Sequence, residues 1–336
     1  MSRAAFLAAA LLVCASAEAF AQSKTGTTFG AFLQIEPSAR IAGMGNAGVS
    51  IEGGLEGAYY NPAAIGALEG RQVVFSHNTW LAGIRHEHVA AAMPLGRLGN
   101  GYLSITALNS GDIEVRTVEL PTGTGERYHV SNLALGLGLG KQISDRFSAG
   151  LQINYVQETI WNSSAAAMML NVGTQFRVSE RGLHIGSSIS NFGTNAGFDG
   201  RDLRILYDND PNRYGDNGAL PGLRYTDRFP TAVLFRVGIG MPLRFNRNHA
   251  VTWAVDGFHP ADDHESVSIG TEYKFRELIA LRMGYQDLFL KDSETGLTLG
   301  AGFHGDTQDF DYKLDYGWAD HGRLGSTHRL SFGVSF

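Results

Sequence analysis

The sequence has 336 residues, 43% hydrophobic and 18% charged, with 43 glycines and only 9 prolines, enough chain to bury a large core in one or two domains. A net charge of -6 with 27 scattered lysines and arginines leaves no basic footprint, which excludes a nucleic-acid partner.

The first element is an export signal. Met1-Ser2-Arg3 precedes an apolar stretch from Ala4 to Val13, and Ala19-Phe20-Ala21 stands before Gln22, the layout of a cleaved secretory signal over residues 1–21. The single cysteine, Cys14, falls inside it, so the mature chain has no thiol for a disulfide, a metal site or a nucleophile. The bulky Val13 before Cys14 argues against lipid attachment there. Beyond residue 21 no apolar run of the roughly 18 residues that a membrane helix needs occurs, so any membrane span must be a closed β-barrel, the other structure that satisfies backbone polar groups in lipid.

Residues 22–70 show no alternation and hold Gly43, Gly45, Gly48, Gly53, Gly54, Gly57, Gly66 and Gly70 among small residues, which predicts compact irregular backbone. From about residue 71 the pattern changes to period two, the spacing of opposite strand faces. Leu133, Leu135, Leu137 and Leu139 alternate with Ala134, Gly136, Gly138 and Gly140; Val233, Phe235, Val237 and Ile239 alternate with Leu234, Arg236, Gly238 and Gly240. Phe310, Tyr312, Leu314, Tyr316 and Trp318 alternate with Asp311, Lys313, Asp315 and Gly317, and Leu330, Phe332, Val334 and Phe336 close the chain. A soluble sandwich would carry charge on its polar face, about a quarter to a third of the surface, whereas this polar face is unusually rich in glycine, alanine and serine. Trp80, Trp161, Phe275, Trp318 and Phe336 stand at segment ends, as interfacial girdles require.

Fourteen segments are predicted, starting near residues 71, 84, 100, 130, 146, 165, 182, 229, 248, 264, 278, 296, 309 and 326. The fold class is therefore all-β: a 14-stranded antiparallel transmembrane barrel over 71–336, an even number as such barrels require. A lumen of that size is too wide for its own side chains to fill, so residues 22–70 are expected inside it as a plug. With that segment on the periplasmic side, the odd-numbered connections face outward and include the two longest, 110–129 and 192–228, while tight turns such as Ser144-Asp145-Arg146 and Gly305-Asp306-Thr307-Gln308 fall on even ones.

Several motifs invite other chemistry. Gly43-Met44-Gly45-Asn46-Ala47-Gly48 spells G-x-G-x-x-G but lacks the flanking strand and helix of a dinucleotide site. His86-Glu87-His88 sets two imidazoles on one strand face with no third ligand nearby. Asp262, Asp263, His264 and Glu265 read as a solvated acidic turn. Asp208-Asn209-Asp210-Pro211-Asn212 opens like a calcium loop, yet Arg213 and Ala219 occupy the glycine and bidentate-acid positions. No G-x-S-x-G turn exists and no histidine is tied to a serine, so an enzyme is not expected, and no cofactor is called for.

Phe32-Leu33-Gln34-Ile35-Glu36-Pro37-Ser38-Ala39-Arg40-Ile41-Ala42-Gly43-Met44-Gly45 followed by Tyr59-Tyr60-Asn61-Pro62-Ala63, with the closing Asp320-His321-Gly322-Arg323-Leu324-Gly325-Ser326-Thr327-His328-Arg329-Leu330-Ser331-Phe332, resembles the PorV/PorQ family of outer-membrane proteins, related to FadL-type fatty-acid channels. The opening motif is shared by both groups, and Ile65-Gly66 departs from the usual continuation. The resemblance makes Arg40, Gly43, Met44, Gly45, Asn61 and Pro62 the plug motif. It implies a bacterial outer-membrane location, lipid contact and a docking or shuttle role for exported substrates, with a type IX secretion translocon and cargo C-terminal domains as partners. Arg201, Arg204, Tyr207, Tyr214, Arg224 and Tyr225 on the second long loop supply the Arg and Tyr expected of such an interface. Phe332, Val334 and Phe336 resemble the terminal signal read by the barrel-assembly machinery. The alternative is a FadL-like channel for hydrophobic small molecules, with Phe29, Phe32, Leu33, Ile35 and Ile41 lining a pocket or forming the plug's own core.

Overall fold

The computed structural model describes residues 26–336 apart from 52–53, 180–181, 209, 211, 213–218 and 291–292; the expected signal segment 1–21 and Tyr214 lie outside the described residues. Fourteen strands form the wall: β1 (Gln72–Thr79), β2 (Arg85–Pro94), β3 (Asn100–Asn109), β4 (Val130–Ser144), β5 (Phe147–Ile160), β6 (Ser163–Arg177), β7 (His184–Gly193), β8 (Leu234–Arg244), β9 (His249–Pro260), β10 (Ser266–Phe275), β11 (Ile279–Leu288), β12 (Leu297–Asp306), β13 (Asp311–Asp320) and β14 (Ser326–Ser335). Each pairs antiparallel with the next, and β1 pairs with β14 from Gln72↔Ser335 to Thr79↔His328, so the sheet closes without an edge.

The two strand faces separate by chemistry. Leu103 and Ile105 are 61% and 49% exposed, while Ser104 and Thr106 between them are buried. The same holds for Leu133, Leu135 and Leu137 outward against the buried Ala134. Facing lipid, the large apolar side chains lie in a medium that costs them nothing, and the small ones leave room inside. This is a transmembrane β-barrel with an apolar outer surface, and no helix among the described residues is long and apolar enough to cross a membrane.

β4, β5 and β6 are the tallest strands, at 15, 14 and 15 residues. Ser163 to Met168 of β6 continue past its pairing with β7 and carry part of the second long connection, whereas Lys141 to Ser144 of β4 extend past β3 at the opposite end. Residues 110–129 form a ribbon pairing Ile113–Glu114 with Arg127–Tyr128; residues 194–233 pair Asp199–Gly200 with the top of β6 and Arg204–Tyr207 with Leu220–Leu223. The second connection is longer than expected because β8 begins at Leu234, not near 229. Pro230 has no amide to donate to a ladder, and its carbonyl instead accepts from Phe29 of the plug at 2.8 Å.

The described residues from Phe29 to Leu68 run inside the barrel. Their turns follow from their caps: Ser38 accepts from Ile41 N to start the short helix Ala39–Ala42, and Asn61 accepts from Ala63 N with Pro62 at the first position of the turn Pro62–Ile65. Trp80 departs from the girdle expectation. Its ring lies against His321 at 5.1 Å and under the Arg329 guanidinium at 5.4 Å, so an available inward cation outcompetes the interface.

Candidate functional site

The plug sits on a bed of wall glycines. A Cβ on Gly284 or Gly270 would collide with backbone atoms of Gly45 and Met44, one on Gly317 with the Ala39 carbonyl, and one on Gly186 with Val49. On the opposite arc, Gly150 and Gly173 leave room for Pro62 and Asn61. Small inward residues thus let the two backbones approach closely. Gly45 itself has φ +66°, and no side chain would fit where its α-carbon meets the Ile269 and Tyr285 backbone. The G-x-G-x-x-G spelling is therefore a packing element.

Polar side chains complete the seat. Thr298 accepts from Gly45 N at 2.9 Å, Asp256 from Val49 N at 2.8 Å and Ser331 from Ala39 N at 2.9 Å. The Asn61 amide donates to Val49 O within the plug and to Thr174 O of the wall. Asn100 Nδ2 donates to Ile65 O at 2.7 Å, and Ser188 Oγ to Tyr60 O at 2.7 Å. Irregular backbone in a lumen needs such partners, because an unpaired buried polar group costs about 1–3 kcal/mol.

A buried ion network fastens one side. Arg40 reaches Glu272 through two bonds, Nε to Oε2 at 2.9 Å and Nη2 to Oε1 at 2.8 Å. Glu272 also accepts from Arg282 Nε at 2.6 Å, and Arg282 Nη1 lies 2.7 Å from Asp315 Oδ1. Arg40 is thus the plug's link in a chain that runs β10–β11–β13 across the wall. A second link joins Glu36 to Arg236 at 3.0 Å, while Arg329 Nε donates to the Glu36 carbonyl. Burial pushes the Glu36 carboxyl up to about 7, with the Arg236 guanidinium opposing but not cancelling that penalty.

The arm before Glu36 adds apolar packing to its hydrogen bonds, in which Gly30 N donates to Glu158 Oε1 at 2.9 Å and Gln34 Nε2 to Asp262 Oδ1 at 3.3 Å. Phe29, Phe32 and Leu33 bury themselves against Leu108, Ala134, Val156, Ala165, Ala167 and Met169 of β3 to β6. These plug residues therefore fill an apolar patch of the wall instead of forming a core of their own, with Ile35 packed alongside. Ile41 sits elsewhere, against Gly48 and Tyr60. Phe198 and Phe229 pack on the same patch and also line a cavity of about 810 Å³ between the two long connections, together with Tyr128, Ile160 and Trp161. Next to Leu33 and Ala134 of the patch lies a polar space of about 20 Å³, lined also by Tyr59, Gln152 and Arg236.

The sequence-predicted residues separate into three places. Arg40, Gly43, Met44, Gly45, Asn61 and Pro62 all meet the wall. Arg201, Arg204, Tyr207, Arg224 and Tyr225 are exposed on the second long connection, away from the plug. Phe332 and Phe336 are exposed on the outer face, Val334 is half-buried, and Phe336 pairs its backbone with Arg71. Sequence reasoning missed Glu272, Arg282, Arg236 and Arg329; the available signal was a charge at a small-face position of an alternating strand. His86 and His88 both face inward, while Glu87 faces outward to His77.

No protein-family model and no curated protein matches this sequence. Solved structures are similar in fold. The CymD monoaromatic hydrocarbon channel has 14% identity and a TM-score of 0.54, covering 90% of this chain and 98% of that one. The Pseudomonas putida toluene transporter TodX has 14% identity and a TM-score of 0.54, covering 88% and 96%. A Pseudomonas aeruginosa FadL homologue has 12% identity and a TM-score of 0.53, covering 89% and 98%. The PorV/PorQ resemblance rests on the terminal motifs and is not distinguished by this likeness; in fold, the chain is a fourteen-stranded barrel with an internal plug segment, similar to these channels.

Proposed function

We propose that the chain is an outer-membrane channel admitting small hydrophobic molecules. The observation that carries the reading is continuity of apolar surface: the cavity between the long connections shares Phe198 and Phe229 with the wall patch that Phe29, Phe32 and Leu33 occupy. A ligand collected among Tyr128, Trp161 and Phe198 would exchange places with this arm, since apolar residues and an apolar ligand compete for one surface at similar free energy per area. The neighbours are channels or transporters for hydrophobic compounds by their own descriptions, which supports the same choice.

Toluene uptake into vesicles holding the purified chain tests it. Saturable uptake above that of empty vesicles is expected, together with quenching of Trp161 fluorescence that Trp161→Phe abolishes; uptake equal to empty vesicles would overturn the reading. The docking role implied by the PorV/PorQ resemblance would fall on the exposed ribbon carrying Arg204, Tyr207, Arg224 and Tyr225. Capture of secreted proteins by the native chain, lost on removal of residues 201–225, is the outcome that would favour it.

A further inference from the structure

The chain is acidic overall, yet one rim is basic. Even-numbered turns share the end at which Arg71 pairs with Phe336, the side with short turns and both ends of the wall, which in such barrels is periplasmic. On it stand Arg97 after β2, Lys141 and Arg146 around the β4–β5 turn, Arg244 and Arg247 around the β8–β9 turn, and Arg276 after β10, all exposed. The turns touch one another in sequence: Lys141 Nζ donates to Arg97 O, Arg177 N to Arg146 O, and Arg276 N to Asn248 O. They form one arc. Among the described residues the acids on these turns are Asp145 and Glu277, and Glu277 is bound to Arg244 and Lys274; the sequence also places Glu180 between β6 and β7. Arg97, Arg146 and Arg247 have no acidic partner among the described residues. The arc ends at the β12–β13 turn, where Asp306, Asp309 and Asp311 reverse the charge.

The same turns carry the lower margin of the lipid-facing surface. Leu98 is 64% exposed beside Arg97, Ile143 62% beside Lys141, and Phe245 69% beside Arg244. An apolar side chain in the acyl region and a guanidinium or ammonium one or two residues away in the head-group layer match the two strata of a phospholipid leaflet. Every phospholipid offers a phosphodiester anion, but only a head group of net negative charge supplies it without a competing ammonium, which favours such lipids at Arg97, Arg146 and Arg247.

We propose that this arc binds anionic phospholipid head groups of the periplasmic leaflet, with phosphatidylglycerol as the simplest ligand. The proposal stands apart from channel function, since a barrel that transports nothing would still hold the lipid.

The full chain, purified in zwitterionic detergent and supplied with equal phosphatidylglycerol and phosphatidylethanolamine, is read by native mass spectrometry. Retention of phosphatidylglycerol is expected, with affinity falling about 10- to 100-fold in R97Q/R146Q/R247Q and unchanged in D306N/D309N. The triple variant is first shown to form a heat-modifiable barrel, and the wild type alone is expected to lose the lipid between low and about 0.5 M salt. Equal retention of the two lipids, salt-independent retention, or a folded triple variant that binds as wild type would each overturn the proposal.

Discussion

At Gly284 the wall has no side chain, and the backbone of Gly45 occupies the space a methyl group would fill. Gly284→Val is expected to cost about 1–3 kcal/mol through overpacking and to lift the Met44 turn, read as increased ion leak in planar bilayers. Gly257→Val, where the nearest atoms are 3.7 Å away, should leak no more than wild type. Glu36 gives a pH-dependent counterpart. Its folded carboxyl titrates near 7, raised by burial from an ordinary 4.5, so its favourable contribution is full below about 4.5 and is lost as pH rises through 7. The thermal transition of the folded barrel should therefore fall between pH 5 and pH 8, and Glu36→Gln should flatten that part of the slope. An unchanged slope in Glu36→Gln would assign the dependence to other groups.

At the scale of elements, the plug is one segment with two kinds of attachment. From Glu36 to Gly66 it is bound by ion pairs and hydrogen bonds to β1, β3, β6, β7, β8, β9, β10, β12 and β14, whereas residues 29–35 add an apolar contact with β3 to β6 to a few hydrogen bonds from Phe29, Gly30 and Gln34. Arg40→Ala leaves Glu272 with one less partner in a buried network and is expected to cost about 3–5 kcal/mol; hydrogen exchange over residues 38–46 should accelerate while residues 61–66 stay protected. On the wall, Leu137→Arg is expected to cost about 2–4 kcal/mol in folding into vesicles, and Leu120→Arg on the first long connection close to nothing. Strand positions were legible because alternation is a local property: predicted starts at 100, 130 and 326 coincide with β3, β4 and β14. The exceptions are places where a distant partner decides. Phe29 claims the Pro230 carbonyl and delays β8, and Arg329 draws Trp80 inward.

For the whole molecule, closure and the internal plug were readable from strand parity, segment length and the glycine-rich opening. The seat was not, because whether Gly270, Gly284 and Gly300 face Gly43 to Gly45 depends on registers some two hundred residues apart. Nor was the ion network: Arg40 was marked by its motif, but Glu272 and Arg282 become its partners only when β10 and β11 come round beneath it. The apolar patch under Phe29 and Phe32 was likewise ambiguous, since a run of apolar residues does not say whose surface it covers.

Underlying all of this is the assignment of the two strand faces, and β3 offers a clean test because the chain's only cysteine is Cys14. With Cys14 absent or replaced, single cysteines at Leu103, Ser104, Ile105 and Thr106 can be labelled with a fluorophore in vesicles containing nitroxide-bearing lipids. Quenching is expected at 103 and 105 and not at 104 and 106, repeating with period two. Equal quenching at all four positions, or quenching only by a water-soluble agent, would contradict a barrel whose apolar face meets lipid and whose small face encloses the plug.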